Sequence, residues 1–146
     1  MSSRRPYGGA VLLADTSAWT HAHHPRLRDE WAAALVNGQI ATCPIVELEI
    51  LFSARDGTGF DAVAGDLAQL RNVPLTRSVT NAARQAMRDL AHVHDGYHRA
   101  VKIPDLLIAA CAQDAAIAVL HYDEDFDRLA AVLEFESRWI APRGSL

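Results

Sequence analysis

The sequence predicts an α/β fold, a three-layer α/β/α sandwich around a mostly parallel central sheet. Three observations predict it. Short apolar strings such as Ala10–Ala14 (AVLLA) and Ile117–Leu120 (IAVL) read as strands buried on both faces. Longer stretches with apolar residues at helical spacing separate them. Strands that alternate with helices are joined by crossovers, which set neighbouring strands parallel.

The elements follow in order. Residues 1–9 carry Ser, Arg, Pro and Gly and are expected to form a flexible N-terminal tail, leaving residues 10–146 as a single domain. The first strand stops at Asp15, and Thr16–His21 begins a short helix before Pro25 breaks the region. Leu27–Asn37 is helical, with Leu27, Trp31, Ala34 and Leu35 in register and Gly38 closing it. Ile40–Thr42 is a minimal strand. Thr42 then caps a helix with Pro44 in its first turn, which runs to Arg55 and ends at Asp56-Gly57. Phe60–Arg71 is helical through Val63, Leu67 and Leu70, and Val73–Leu75 reads as a strand. A helix opening at Thr76 or Ser78 carries Ala82, Ala86 and Leu90 and ends near Gly96. Pro104 starts a nearly all-apolar helix, LLIAACA, which must be buried on most sides. Ile117–Leu120 is a strand, Asp123–Leu133 a helix and Phe135–Ile140 a final strand.

Composition narrows the class. With 146 residues, half of them hydrophobic and 22% charged, the chain can bury a normal core, which excludes disordered, collagen-like and disulfide-scaffold classes. No apolar run reaches the ~18 residues of a membrane helix. The apolar stretch after Arg4 and Arg5 ends at Asp15, too soon for a signal-peptide core. A cytoplasmic location without membrane contact is expected, with Cys43 and Cys111 as free buried thiols. A net charge of −4 argues against a protein that coats nucleic acid non-specifically. Of the 14 bases only Lys102 is not Arg; Arg grips phosphate in a bidentate fork, although an Ala-rich composition gives the same bias.

Ligands in such folds bind beyond the carboxyl ends of the strands, where acids recur in this chain. Asp15 follows AVLLA directly and equally suits an N-cap. Within CPIVELEILFSAR, at about 100° per residue, Ile45, Leu48 and Phe52 define an apolar stripe with Glu49 at its border and Glu47 on the solvated side. An acid facing the interior needs a metal, an Arg partner or a proton. Asp105, beside Pro104, also suits the helix macrodipole. Asp123, Asp125 and Asp127 follow the strand ending in HY. They are no EF-hand loop, since Arg128 stands where the sixth position demands Gly. Clustered carboxylates repel one another unless a cation joins them, and oxygen-only ligands suit Mg²⁺ or Mn²⁺.

Other constellations are weaker. His21, His23 and His24, or His94 and His98, lack the cysteines and helical continuity of a zinc site. A haloacid-type phosphatase needs Asp-x-Asp where Asp15 is followed by Thr16-Ser17, and a receiver domain needs a late Lys that Lys102 does not supply.

LADTSAW (13–19), CPIVELEILFSAR (43–55), HRAVKIPDLLIAACA (98–112) and VLHYDEDFDRLA (119–130) together resemble a PIN domain of the VapC ribonuclease-toxin type, across residues 10–141. The resemblance implies a PIN-like nuclease domain with catalytic acids Asp15, Glu49, Asp105 and Asp123, of which Asp15, Asp105 and Asp123 ligate Mg²⁺ or Mn²⁺. It implies auxiliary roles for Thr16, Ser17 and Asp125 and a phosphate contact for Arg99. His121 departs from the pattern, where many members carry Thr or Ser. The implied activity is endoribonuclease cleavage of structured RNA, transfer or ribosomal, by metal-activated water, leaving 5′-phosphate and 3′-hydroxyl ends. The implied partners are a VapB-like antitoxin and a second copy of the chain. The other reading is a catalytically inactive module that keeps the fold to bind RNA or an antitoxin.

Overall fold

The computed structural model describes residues 5–146. Its strands are β1 (Leu12–Ala14), β2 (Ile40–Thr42), β3 (Arg71–Asn72), β4 (Ala118–His121) and β5 (Ser137–Trp139). Its helices are α1 (Thr16–His21), α2 (Arg28–Val36), α3 (Pro44–Phe52), α4 (Gly57–Leu67), α5 (Arg77–Val93), α6 (Ile103–Ala115) and α7 (Asp125–Leu129). The sheet order is β3-β2-β1-β4-β5 and every neighbouring pair is parallel. The α/β expectation therefore holds, with a sheet parallel throughout.

The strands are apolar on both faces because both faces are covered. Leu12 and Ala14 point into one core with Trp31, Ile40 and Leu120; Leu13 points into the other with Val46, Ile108, Val119 and Phe126. This is the two-residue alternation of a strand. Helix α6 supplies the second core's centre, since Ile108, Ala109, Ala110, Cys111 and Ala112 are all fully buried. Its small side chains let α5 pack closely through Val79, Ala83, Ala86 and Leu90. Cys43 and Cys111 are free and buried.

Several boundaries move for identifiable reasons. The third strand is Arg71–Asn72 rather than Val73–Leu75: Val73 donates to the Thr42 carbonyl at 2.8 Å, and Pro74, lacking an N–H, ends the ladder. Helix α7 starts at Asp125 because Asp123 and Glu124 form the turn before it. Of the expected tail, residues 1–4 lie outside the described residues, whereas Pro6–Gly9 forms a packed 3-10 turn. Tyr7 is buried there, and Gln39 Nε2 and Arg138 Nη1 hold the Pro6 and Tyr7 carbonyls at 2.6 and 3.0 Å. Polar side chains from two distant segments fix this turn, and composition carries no trace of that.

Helix α3 is rotated from the expected stripe. Its buried face is Val46, with Ile45 and Ile50 partly covered, while Leu48 and Phe52 are 64% and 91% exposed. Apolar residues surround this helix almost completely, so the packing of α1, α4 and α6 decides the inward face. Glu47, expected in solvent, is half-buried and accepts a hydrogen bond from Asn72 Nδ2 on β3.

Candidate active site

Adjacent parallel strands β1 and β4 release their following residues side by side at the carboxyl edge of the sheet. The Asp15 N–H donates to the Leu120 carbonyl at 2.9 Å, continuing the ladder one residue past β1. Asp15 caps α1: its Oδ2 accepts from the Ser17 N–H at 3.0 Å and the Ser17 hydroxyl at 2.6 Å. Ser17 Oγ in turn accepts the Tyr122 N–H at 2.9 Å, so one hydroxyl ties both loops together. Thr16 Oγ1 donates to Glu49 Oε1 at 2.9 Å, which links α3 to the same loop.

Asp105 lies in the first turn of α6 and is 6% exposed. One oxygen each from Asp105, Asp123 and Asp125 lie within 4.8 Å of one another. Asp105 Oδ2 is buried and has no hydrogen-bond partner among the described residues. Burial foremost, then the charges of Asp15, Asp123 and Asp125, push the Asp105 carboxyl up to about 7, against the opposing charge of Lys102. Burial also raises Asp15, with Glu49 adding to it and the Ser17 bonds opposing it. Asp125 is raised by burial and by Asp123, while Arg128 opposes. Arg128 Nη1 pairs with Asp125 Oδ1 at 2.7 Å, and its Nη2 meets Glu124 Oε1 at 3.2 Å.

Three convergent carboxylates, two of them buried and Asp123 half-buried, one with an oxygen that meets no donor among the described residues, form a site that a cation completes. The donor set is oxygen only, which fits a hard divalent ion and not the N/S preference of zinc. The residues present therefore fit a metal.

Of the residues singled out in the sequence, Asp105 and Asp123 converge directly. Asp125, expected as an auxiliary, stands in the same triad. Asp15 lies next to it, its charge acting on Asp105, and Glu49 reaches the site through Thr16. Arg99 is exposed, its guanidinium lies against Gly96, and it forms no ion pair among the described residues. Sequence reasoning missed Lys102 and Arg128, whose charges act on the acids. Lys102 carried one signal, as the chain's lone lysine at the N-cap of the helix bearing Asp105.

His121 is fully buried and neutral at physiological pH, because burial lowers it to about 4 despite Asp127 and Asp123 nearby. Its Nδ1 accepts the Asp123 N–H at 3.1 Å.

Ser17 is a point where stability and the site meet. Ser17→Ala is expected to remove a donor from buried Asp15 and the acceptor of the Tyr122 N–H, costing about 1–3 kcal/mol in chemical denaturation.

Comparison with known proteins agrees with this geometry. The family model described as PIN domain matches residues 12–132. Ribonuclease VapC18 of Mycobacterium tuberculosis (strain ATCC 25618 / H37Rv) is 46% identical over 136 residues, covering 93% of this chain and 99% of the relative. Ribonuclease VapC21 of the same strain is 36% identical over 137 residues, covering 91% and 96%. The fold is similar to that of DNA-bound VapBC from Salmonella typhimurium, with TM-score 0.70 at 14% identity over 90% of this chain and 99% of that one. It is also similar to VapBC-5 from Mycobacterium tuberculosis, with TM-score 0.62 at 23% identity over 89% and 98%. Near-complete coverage of ribonucleases, on a fold that gathers acids at one sheet edge, makes this chain a member of the PIN-domain family and a VapC ribonuclease toxin.

Proposed function

We propose that this toxin cleaves structured RNA, transfer or ribosomal, with Mg²⁺ or Mn²⁺ held by Asp15, Asp105, Asp123 and Asp125. The observation that carries the reading is Asp105 Oδ2, buried without a donor beside oxygens of Asp123 and Asp125. Such an ion, when bound, lowers the pKa of water and offsets phosphate charge. The chain's own residues supply the rest. Ser17 orients Asp15 through two hydrogen bonds, and Thr16 fixes Glu49 toward the same loop. Arg128 pairs with Asp125 Oδ1 and neutralises part of its charge. Arg99 contacts substrate phosphate from the loop before α6, once RNA draws its side chain off Gly96. The protein acts in the cytoplasm, where these RNAs are.

The reading is tested by a short pulse of expression followed by mapping of new 5′ ends. Discrete 5′-phosphate ends in a few structured RNAs are expected, and none from Asp15→Asn at equal abundance. Ends scattered through messenger RNAs would overturn the structured-RNA reading. New ends formed equally by Asp15→Asn would overturn the role of Asp15.

The chain also pairs with a VapB-like antitoxin and forms a homodimer in solution. Leu48 and Phe52 leave an apolar face on α3, next to the cleft of ≈ 390 Å³ lined in part by Thr16, Trp19, Glu49 and Ile50. An antitoxin segment lying there covers the acids' approach as well. Phe52→Glu is expected to weaken antitoxin binding by about 2 kcal/mol or more, read by titration calorimetry, with RNA cleavage retained.

A further inference from the structure

We propose that His121 is a positioning residue for Asp123: held from behind by Ser137 and Asp127, its imidazole fixes the turn that carries this carboxylate. The inference rests on the reading of the acids as a metal site and assigns a role to the buried imidazole at the end of β4.

The hydrogen bonds run in one direction. The Asp123 N–H donates to His121 Nδ1 at 3.1 Å, so Nδ1 carries no proton and Nε2 does. Nε2–H then donates to Ser137 Oγ at 2.6 Å. The Ser137 hydroxyl spends its own proton on Asp127 Oδ1, at 2.6 Å. Asp127 Oδ2 accepts from Trp139 Nε1 at 3.0 Å, which holds the carboxylate in place. The tautomer of a buried imidazole is thus dictated from the surface inward, by residues of β5 and α7.

Packing fixes the ring plane as well. The imidazole stacks on Phe126 at 5.0 Å and 30°, and meets the Trp139 edge at 5.0 Å and 61°. Asp123 Oδ1 meanwhile accepts the Asp125 N–H at 3.0 Å, so the same turn aligns both acids. A serine or threonine hydroxyl at position 121 is long enough to meet its own turn and too short to span to β5. The imidazole does both, and couples the metal-facing turn to the edge strand.

The test is Mn²⁺ titration calorimetry on the full chain, with His121→Gln, His121→Asn, Ser137→Ala and Ser137→Thr. The Asn carbonyl sits near the position of Nδ1, and the Gln side chain reaches toward that of Nε2. His121→Gln is expected to lose about 10- to 100-fold in affinity, and His121→Asn less. Ser137→Ala, half-exposed and no risk to the core, is expected to lose about 10-fold, with Ser137→Thr restoring it. Nitrogen NMR is expected to show the Nε2–H tautomer in the parent and a mixture in Ser137→Ala. Folded Ser137→Ala and His121→Gln that bind Mn²⁺ like the parent overturn the proposal, as does a protonated Nδ1 in the parent. A parent chain that binds no Mn²⁺ overturns this proposal together with the metal reading; a parent that binds while every variant matches it overturns this one alone.

Discussion

Asp105→Asn is expected to abolish RNA cleavage, by on the order of 10²- to 10³-fold or more, while leaving the fold intact. The side chain keeps its shape but loses the charge that, with Asp123 and Asp125, makes the site attract a cation. Two measurements separate the causes. Mn²⁺ titration of the variant should show lost or strongly weakened binding, and cleavage of a mapped substrate should stay low even at high Mn²⁺. Asp105→Asn that still cleaves at the parent's rate would remove Asp105 from the site. Because the Asp105 carboxyl is buried and charged only above about pH 7, the Asn variant is expected to be more stable than the metal-free parent at pH 8.

That expectation leads to the second large effect, an inverted pH dependence of stability. In the fold the Asp105 carboxyl sits at about 7, against 3.8 ordinarily. Between those values the folded chain holds a proton that the unfolded chain releases. Stability from this group is therefore complete below about 4 and lost as the pH rises through about 7. Asp15 and Asp125 are raised as well and act in the same direction. The metal-free protein is expected to melt about 5 °C or more lower at pH 8 than at pH 5.5. Asp105→Asn should flatten that slope. Mn²⁺ should raise the melting temperature, and by more at pH 8, where no proton competes for the carboxylates. A metal-free melting temperature that climbs from pH 5.5 to pH 8 in the parent would falsify this account.

Much of the architecture was legible because it is local. AVLLA and IAVL can only be strands covered on both faces, and the helix after Pro104 is too apolar to lie anywhere but inside. Asp15 and Asp123 were legible as strand-end acids because apolar strings stop immediately before them or one turn earlier. The face of α3 was not. Ile45, Val46, Leu48, Ile50, Leu51 and Phe52 wrap the helix, so periodicity offers several inward faces of similar quality. The packing of three neighbouring helices selects Val46 and leaves Phe52 in solvent. Tyr7 was hidden for a similar reason: its burial depends on α2, Gln39 and Arg138, the last two 32 and 131 residues away.

The sequence by itself determined the alternation of strands and helices, and which acids stand at strand ends and helix starts. Both depend on neighbours a few residues away, through backbone geometry and hydrophobic period. Only the tertiary structure decided which carboxylate oxygens meet. It set Asp125 beside Asp105 and Asp123, gave Arg128 and Lys102 their influence, and turned Arg99 back on Gly96. Convergence within a few ångströms is a property of how β1, β4 and the start of α6 are juxtaposed. Electrostatic energy depends on those separations through space, which the spacing along a chain does not encode.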